Sequence, residues 1–124
     1  MEIIKSHREL KVYQKSFSSA MEIFHQSKSF PKEELYSLSD QIRRSSRSVS
    51  SNIAEAFRRR KYPKSFVNKL NESESETGET QNWLDFAFHC GYLEKDKYQQ
   101  LNQEYDNIIG MLVNMQRYPD KWSI

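Results

Sequence analysis

Gln41-Ile42-Arg43-Arg44-Ser45-Ser46, followed by Ser51-Asn52-Ile53-Ala54-Glu55-Ala56-Phe57-Arg58, is the stretch that decides the fold. At 100° per residue, its apolar positions gather on one side of a helix centred near Ile42 and Val49. Arg43, Arg44, Arg47 and Arg58 fall on the other side, within an arc of roughly 100° and over about 22 Å of helix axis. Leu35, Leu38, Ile42, Val49, Ile53 and Ala56 are the expected core positions, and the spacing predicts a helix over about residues 32–60.

The same period runs through three further segments. Leu10, Tyr13, Phe17, Ala20, Met21 and Phe24 predict a first helix over about 8–28. Phe66, Leu70, Ser73, Thr77, Leu84 and Phe88 predict a third over about 64–90, with Gly91 placed to end it in a left-handed conformation. Tyr98, Leu101, Tyr105, Ile108, Leu112 and Met115 alternate steps of three and four over about 94–117, which is the spacing of a bundle seam. Pro31, with Glu33 and Glu34 behind it, fits the start of the second helix, and Tyr62-Pro63-Lys64-Ser65 restarts the chain before the third.

Three Gly and three Pro in 124 residues leave too few turn formers for a sandwich or barrel. The expected fold is all-α, a single antiparallel up-down-up-down four-helix bundle over residues 1–124, with 1–7 and 119–124 as flexible ends. No apolar run is long enough to cross a bilayer, and Met1-Glu2-Ile3-Ile4-Lys5 opens no secretory signal. Cys90 is the lone cysteine, read as a packed thiol, so no disulfide within the chain is expected and the cytoplasm is the expected location.

Net charge is only +2, but it is unevenly spread. Residues 31–61 carry +4 and residues 62–91 carry −3. Arg43, Arg44, Arg47 and Arg58, extended by Arg59, Arg60, Lys61 and Lys64, form a stripe able to track a phosphate backbone. The same stripe also reads as a solvated face, or as arginines paired with acids of a neighbouring subunit. Glu72, Glu76 and Glu79 share one side of the third helix, with Trp83 beyond them. A basic and an acidic helix on one chain suit head-to-tail assembly into a ring, or pairing between neighbouring helices of one subunit. Ser45, Ser46 and Asn52 on the second helix, with Ser73, Thr77 and Gln81 on the third, form a small polar layer, read as a hydrogen-bonded register device.

No catalytic constellation appears, so no enzyme activity is expected. His7, His25 and His89 are scattered, the Glu72, Glu74, Glu76 run lacks the histidines of a di-iron bundle, and no Gly-rich phosphate loop exists. No metal or cofactor is expected. Glu55 beside Arg58 and Arg59 reads as a helical surface ion pair.

Gln41-Ile42-Arg43-Arg44 and Ser51-Asn52-Ile53-Ala54-Glu55 resemble the small bacterial four-helix-bundle proteins encoded by intervening sequences within 23S rRNA genes. Phe30-Pro31-Lys32-Glu33-Glu34-Leu35-Tyr36, Glu79-Thr80-Gln81-Asn82-Trp83-Leu84-Asp85-Phe86-Ala87 and Gly91-Tyr92-Leu93 extend the resemblance, as does Leu10-Lys11-Val12-Tyr13-Gln14. Ala56 stands where the family usually has Gly, and Ser45-Ser46 where Ala is common. The resemblance implies a homo-oligomeric ring, commonly a pentamer. It also implies distant kinship to the accessory protein of diversity-generating retroelements, whose ring binds a reverse transcriptase and nucleic acid. The functional expectation is a non-enzymatic bundle binding structured or ribosomal RNA through Arg43, Arg44, Arg47, Arg58, Arg59, Arg60 and Lys61. The alternative is an interaction scaffold whose charged faces, with Glu72, Glu76, Glu79 and Trp83, are used in its own assembly.

Overall fold

The computed structural model describes residues 3–122. Residues 1–2 and 123–124, part of the expected flexible ends, lie outside the described residues. Four helices run over Lys11–Ser27 (α1), Leu38–Arg58 (α2), Pro63–His89 (α3) and Lys95–Arg117 (α4). Short 3-10 turns at His7–Glu9, Lys32–Glu34 and Pro119–Lys121 complete the described elements, and there is no strand among the described residues.

Cross-helix contacts give the topology. Ser16 meets Ser50 (3.0 Å) and Arg43 reaches Ser27 (2.7 Å), so α1 ascends as α2 descends. Ser73 donates to the Val49 carbonyl and Thr80 to Ser45, both at 2.8 Å, which sets α3 antiparallel to α2. Gln81 donates to Asp106 and Gln116 to Glu74, both at 2.9 Å, which sets α4 antiparallel to α3. Lys15–Glu104 (2.7 Å) and Glu22–Lys97 (2.8 Å) close α4 back on α1. The result is an up-down-up-down four-helix bundle whose neighbours in sequence are neighbours in space.

The seam residues meet at the centre: Ile42, Val49, Ile53, Ala56, Leu70, Leu84, Tyr105, Ile108 and Leu112 are fully buried. Ser45, Ser46, Ser73 and Thr77 are buried and hydrogen-bonded, as are Ser16, Ser50 and Thr80. A buried hydroxyl without a partner costs about 1–3 kcal/mol, so these bonds are what make a small-residue layer tolerable between close helices. Asn52 and Gln81 are only half-buried: Asn52 returns to the Ser48 carbonyl (3.0 Å) and Gln81 crosses to α4.

Pro63 opens α3 at its first position, where its missing N–H is no loss. Gly91 closes it at φ 80°, with Tyr92 N–H on the Ala87 carbonyl (2.8 Å) and Gly91 N–H on that of Phe88 (3.0 Å).

The structure departs from expectation in four places. The second helix begins at Leu38, because Pro31 opens only a 3-10 turn and Ser37 breaks the chain at φ −124°, ψ −99°. The Glu34 carboxylate accepts from Ser37 Oγ (2.6 Å), Leu38 N–H (3.4 Å) and Tyr92 Oη (2.9 Å), so it caps α2 from outside. Leu35 therefore lies on this turn and is 46% exposed. Phe17 and Met21, expected in the core, are 51% and 40% exposed, because the apolar arc of α1 is wider than the seam it shares with α2 and α4. Cys90 is exposed, being the last residue before the Gly91 turn.

Candidate nucleic-acid interface

The predicted stripe divides in two once α1 and α3 flank α2. Arg43 leans onto α1: its Nε donates to the buried Ser27 hydroxyl, and its guanidinium lies 5.2 Å from the Phe24 ring centroid. Arg47 lies over the same ring at 5.6 Å and Lys28 at 4.7 Å. Arg44 and Arg47 line a polar groove of about 540 Å³ whose far wall is Glu76 and Glu79 of α3. None of these four forms an ion pair among the described residues. Burial and the neighbouring Glu79 push the Glu76 carboxyl above its ordinary range. Phosphate at this groove would meet two carboxylates as well as two arginines.

Glu72 and Glu55 are occupied differently. Both hold Lys69, each at 3.0 Å, so Glu55 pairs across to α3 rather than with Arg58 or Arg59. Trp83 is half-buried against the core and packs on Phe86 (6.0 Å), with its Nε1 buried and lacking a hydrogen-bond partner among the described residues. It lines a cleft with Tyr36 and Phe86, which are 90% and 54% exposed.

Arg58, Arg59, Arg60 and Lys61 sit elsewhere, at the end of the bundle where α2 passes to α3. Arg59 donates to Ser65 (3.0 Å). Arg60 is clamped, with its Nε on the Phe57 carbonyl (2.9 Å) and its guanidinium 3.6 Å from the centroid of that buried ring. Burial, then the charge of Arg58, lowers its proton affinity. His7 lies near enough to Arg58 that burial, Arg8 and Arg58 together hold its imidazole below the usual range.

Antiparallel packing brings the start of α1, the end of α2, the start of α3 and the end of α4 to this one end. Residues 5–11, 58–64 and 117–121 carry ten Lys and Arg side chains and two carboxylates, Glu9 and Asp120. This end is therefore +8, whereas the whole chain is +2 and the remainder −6. Arg8, Lys11, Arg117 and Lys121 were not in the predicted site. Their common signal is a cation at alternate helix termini, which only the bundle topology collects.

Among the described residues no group of His, Cys, Asp and Glu could hold a metal ion, and no helix is long and apolar enough to cross a membrane. No curated protein matches the sequence. The fold matches a crystal structure of a protein of unknown function from the S23 ribosomal protein family of Bacteroides thetaiotaomicron. The match has 30% identity and a TM-score of 0.77, covering 86% of this chain and 95% of that one. The profile of the 23S rRNA-intervening sequence protein family matches residues 8–114, nearly the full length of the bundle, and the chain belongs to that family.

Proposed function

We propose that this protein is a non-enzymatic, self-assembling bundle that binds nucleic acid, structured or ribosomal RNA first, through the basic end. The observation that carries this reading is the +8 charge gathered there by residues 5–11, 58–64 and 117–121. A polyanion releases counterions for each phosphate neutralised, so such a cluster binds RNA with little regard to sequence. The groove of Arg44 and Arg47 is a weaker phosphate site because Glu76 and Glu79 form its other wall. The test is anisotropy of a labelled rRNA fragment across salt concentrations. The variant Arg58→Glu/Arg59→Glu/Lys61→Glu removes three exposed cations and should flatten the slope of log affinity against log salt by roughly 2–3. No binding by the unaltered protein at low salt would refute the reading.

A second surface favours self-assembly. The groove of Arg44 and Glu76 adjoins an apolar one of about 390 Å³, lined by Phe17, Met21 and Phe24, and the two share Arg47 and Ser51. On its other side Gln41 joins it to the cleft of Tyr36 and Phe86. Exposed apolar side chains bordering unpaired charges suit a contact with another copy, which would bring several basic ends to one polyanion. Light scattering should give a multiple of 14.8 kDa, and Phe17→Asp/Met21→Asp should return the mass to that of one subunit.

A further inference from the structure

The basic end is not uniformly charged. Tyr62 follows Lys61 and is 60% exposed, and Tyr118 follows Arg117 and is 49% exposed. Each ring has a lysine ammonium over it: Lys61 at 5.7 Å from the Tyr62 centroid and Lys121 at 4.9 Å from that of Tyr118. Tyr62 is the cap residue before α3 and Tyr118 the one after α4. Their chain neighbours, Pro63 and Pro119, both line an open surface cleft of about 430 Å³. Lys64, Val67, Asn68 and Asn71 line it as well. Neither asparagine makes a side-chain hydrogen bond among the described residues, whereas Gln116 in the same cleft is held by Glu74.

These features are superfluous for binding the outside of a duplex, where charge alone suffices. They match what an unpaired nucleotide needs: flat rings to stack on, amides that both donate and accept at a base edge, and cations along the phosphates. Both rings are exposed as well as flanked by an ammonium. The cleft is within the size range of small-ligand pockets. Resting on the nucleic-acid reading above, we infer that the surface at the start of α3 and the end of α4 takes unstacked bases of single-stranded nucleic acid, with Tyr62 and Tyr118, which adjoin the cleft through Pro63 and Pro119 rather than line it, as the stacking platforms.

The test compares a labelled single strand of about 12 nucleotides, within the site sizes of single-strand binders, with the duplex of the same sequence. Tyr62→Ala and Tyr118→Ala should each weaken single-strand binding by about tenfold, the scale of one lost stacking contact. Duplex affinity and the salt slope should not change. Tyr62→Phe and Tyr118→Phe keep the ring and should bind as the unaltered protein does. Thermal unfolding of each variant checks that the bundle is intact. Equal binding of both forms with no effect of the alanine variants would overturn the base-stacking inference while leaving the polyanion reading in place. A parallel loss of duplex binding would also overturn it. Binding to neither form at low salt would end both.

Discussion

Replacing Arg43 with Ala should cost the bundle about 2 kcal/mol, although its sequence position groups it with arginines expected to be exposed and free to meet phosphate. The guanidinium Nε donates to the Ser27 hydroxyl at 2.7 Å, and Ser27 is buried. Hydrogen bonds to charged groups are worth about 1.5–3 kcal/mol, and the low end applies because Arg43 is half-exposed. The stack on Phe24 at 5.2 Å adds about 0.5 kcal/mol at such a site. Alanine is the better helix former, which returns a few tenths of a kcal/mol. For a chain of this length the net loss lowers the melting temperature by about 6–10 °C. Arg44, one residue on, is exposed and has no ion pair among the described residues, so Arg44→Ala should change stability by at most about 0.5 kcal/mol.

Thermal unfolding followed by circular dichroism reads both variants. Ser27→Ala, alone and combined with Arg43→Ala, then isolates the pair. A coupling energy of about 1 kcal/mol or more is expected, and near-additive effects would show that the two side chains do not depend on each other. Arg43→Lys keeps a cation near Phe24 but cannot place the Nε donor, so it should fall between the alanine variant and the parent. Equal melting temperatures for Arg43→Ala and Arg44→Ala would refute the reasoning. The consequence for function is direct: lost RNA binding in an Arg43 variant is evidence about phosphate contact only after stability has been measured.

Two further outcomes follow from the charges. The folded chain holds the Glu76 proton more tightly than the unfolded chain does, because burial and Glu79 disfavour its charge. The cost is present above the folded pKa and disappears as pH falls through it toward the ordinary 4.5, so Glu76→Gln should raise the melting temperature of the single subunit at pH 7 and do nothing below pH 4.5. Destabilisation at pH 7 would refute this and show that a cation lies close enough to Glu76 to favour its charge. Lys64→Glu should stabilise α3 by about 0.3–1 kcal/mol while weakening RNA binding, read by thermal unfolding and anisotropy on one preparation.

Much of the fold was legible because local and global signals agreed. Leu101, Tyr105, Ile108, Leu112 and Met115 repeat at the seam spacing, and all five are buried. Gly91 and Pro63 punctuate α3 for backbone reasons that need no tertiary context. The stretch before α2 misled for an equally specific reason. Pro31, Glu33 and Glu34 are residues that start helices, but Glu34 is held by Ser37, Leu38 and Tyr92, the last of them 58 residues away. The basic character of α2 was legible, but not where its cations come to lie. A helical wheel shows that Arg43, Arg44, Arg47 and Arg58 share a side of α2. It cannot show that α1 takes up Arg43, that α3 sets glutamates opposite Arg44 and Arg47, or that Arg58 joins cations from three other helix ends.

The placement of those cations bears on why they are there. Arg58 and Arg117 lie in the last turns of α2 and α4, where the negative end of the helix dipole favours them. Lys11 and Lys64 lie in the first turns of α1 and α3, where the dipole opposes a cation, and neither first turn carries an acid. The first turns of α2 and α4, at the opposite end of the bundle, do carry acids, Asp40 and Asp96. Helix stability alone would put carboxylates at the starts of α1 and α3 as well. Four helix ends of alternating polarity instead carry the same sign of charge, against the local preference of two of them and against mutual repulsion. A polyanion bound here, as proposed, would offset both costs.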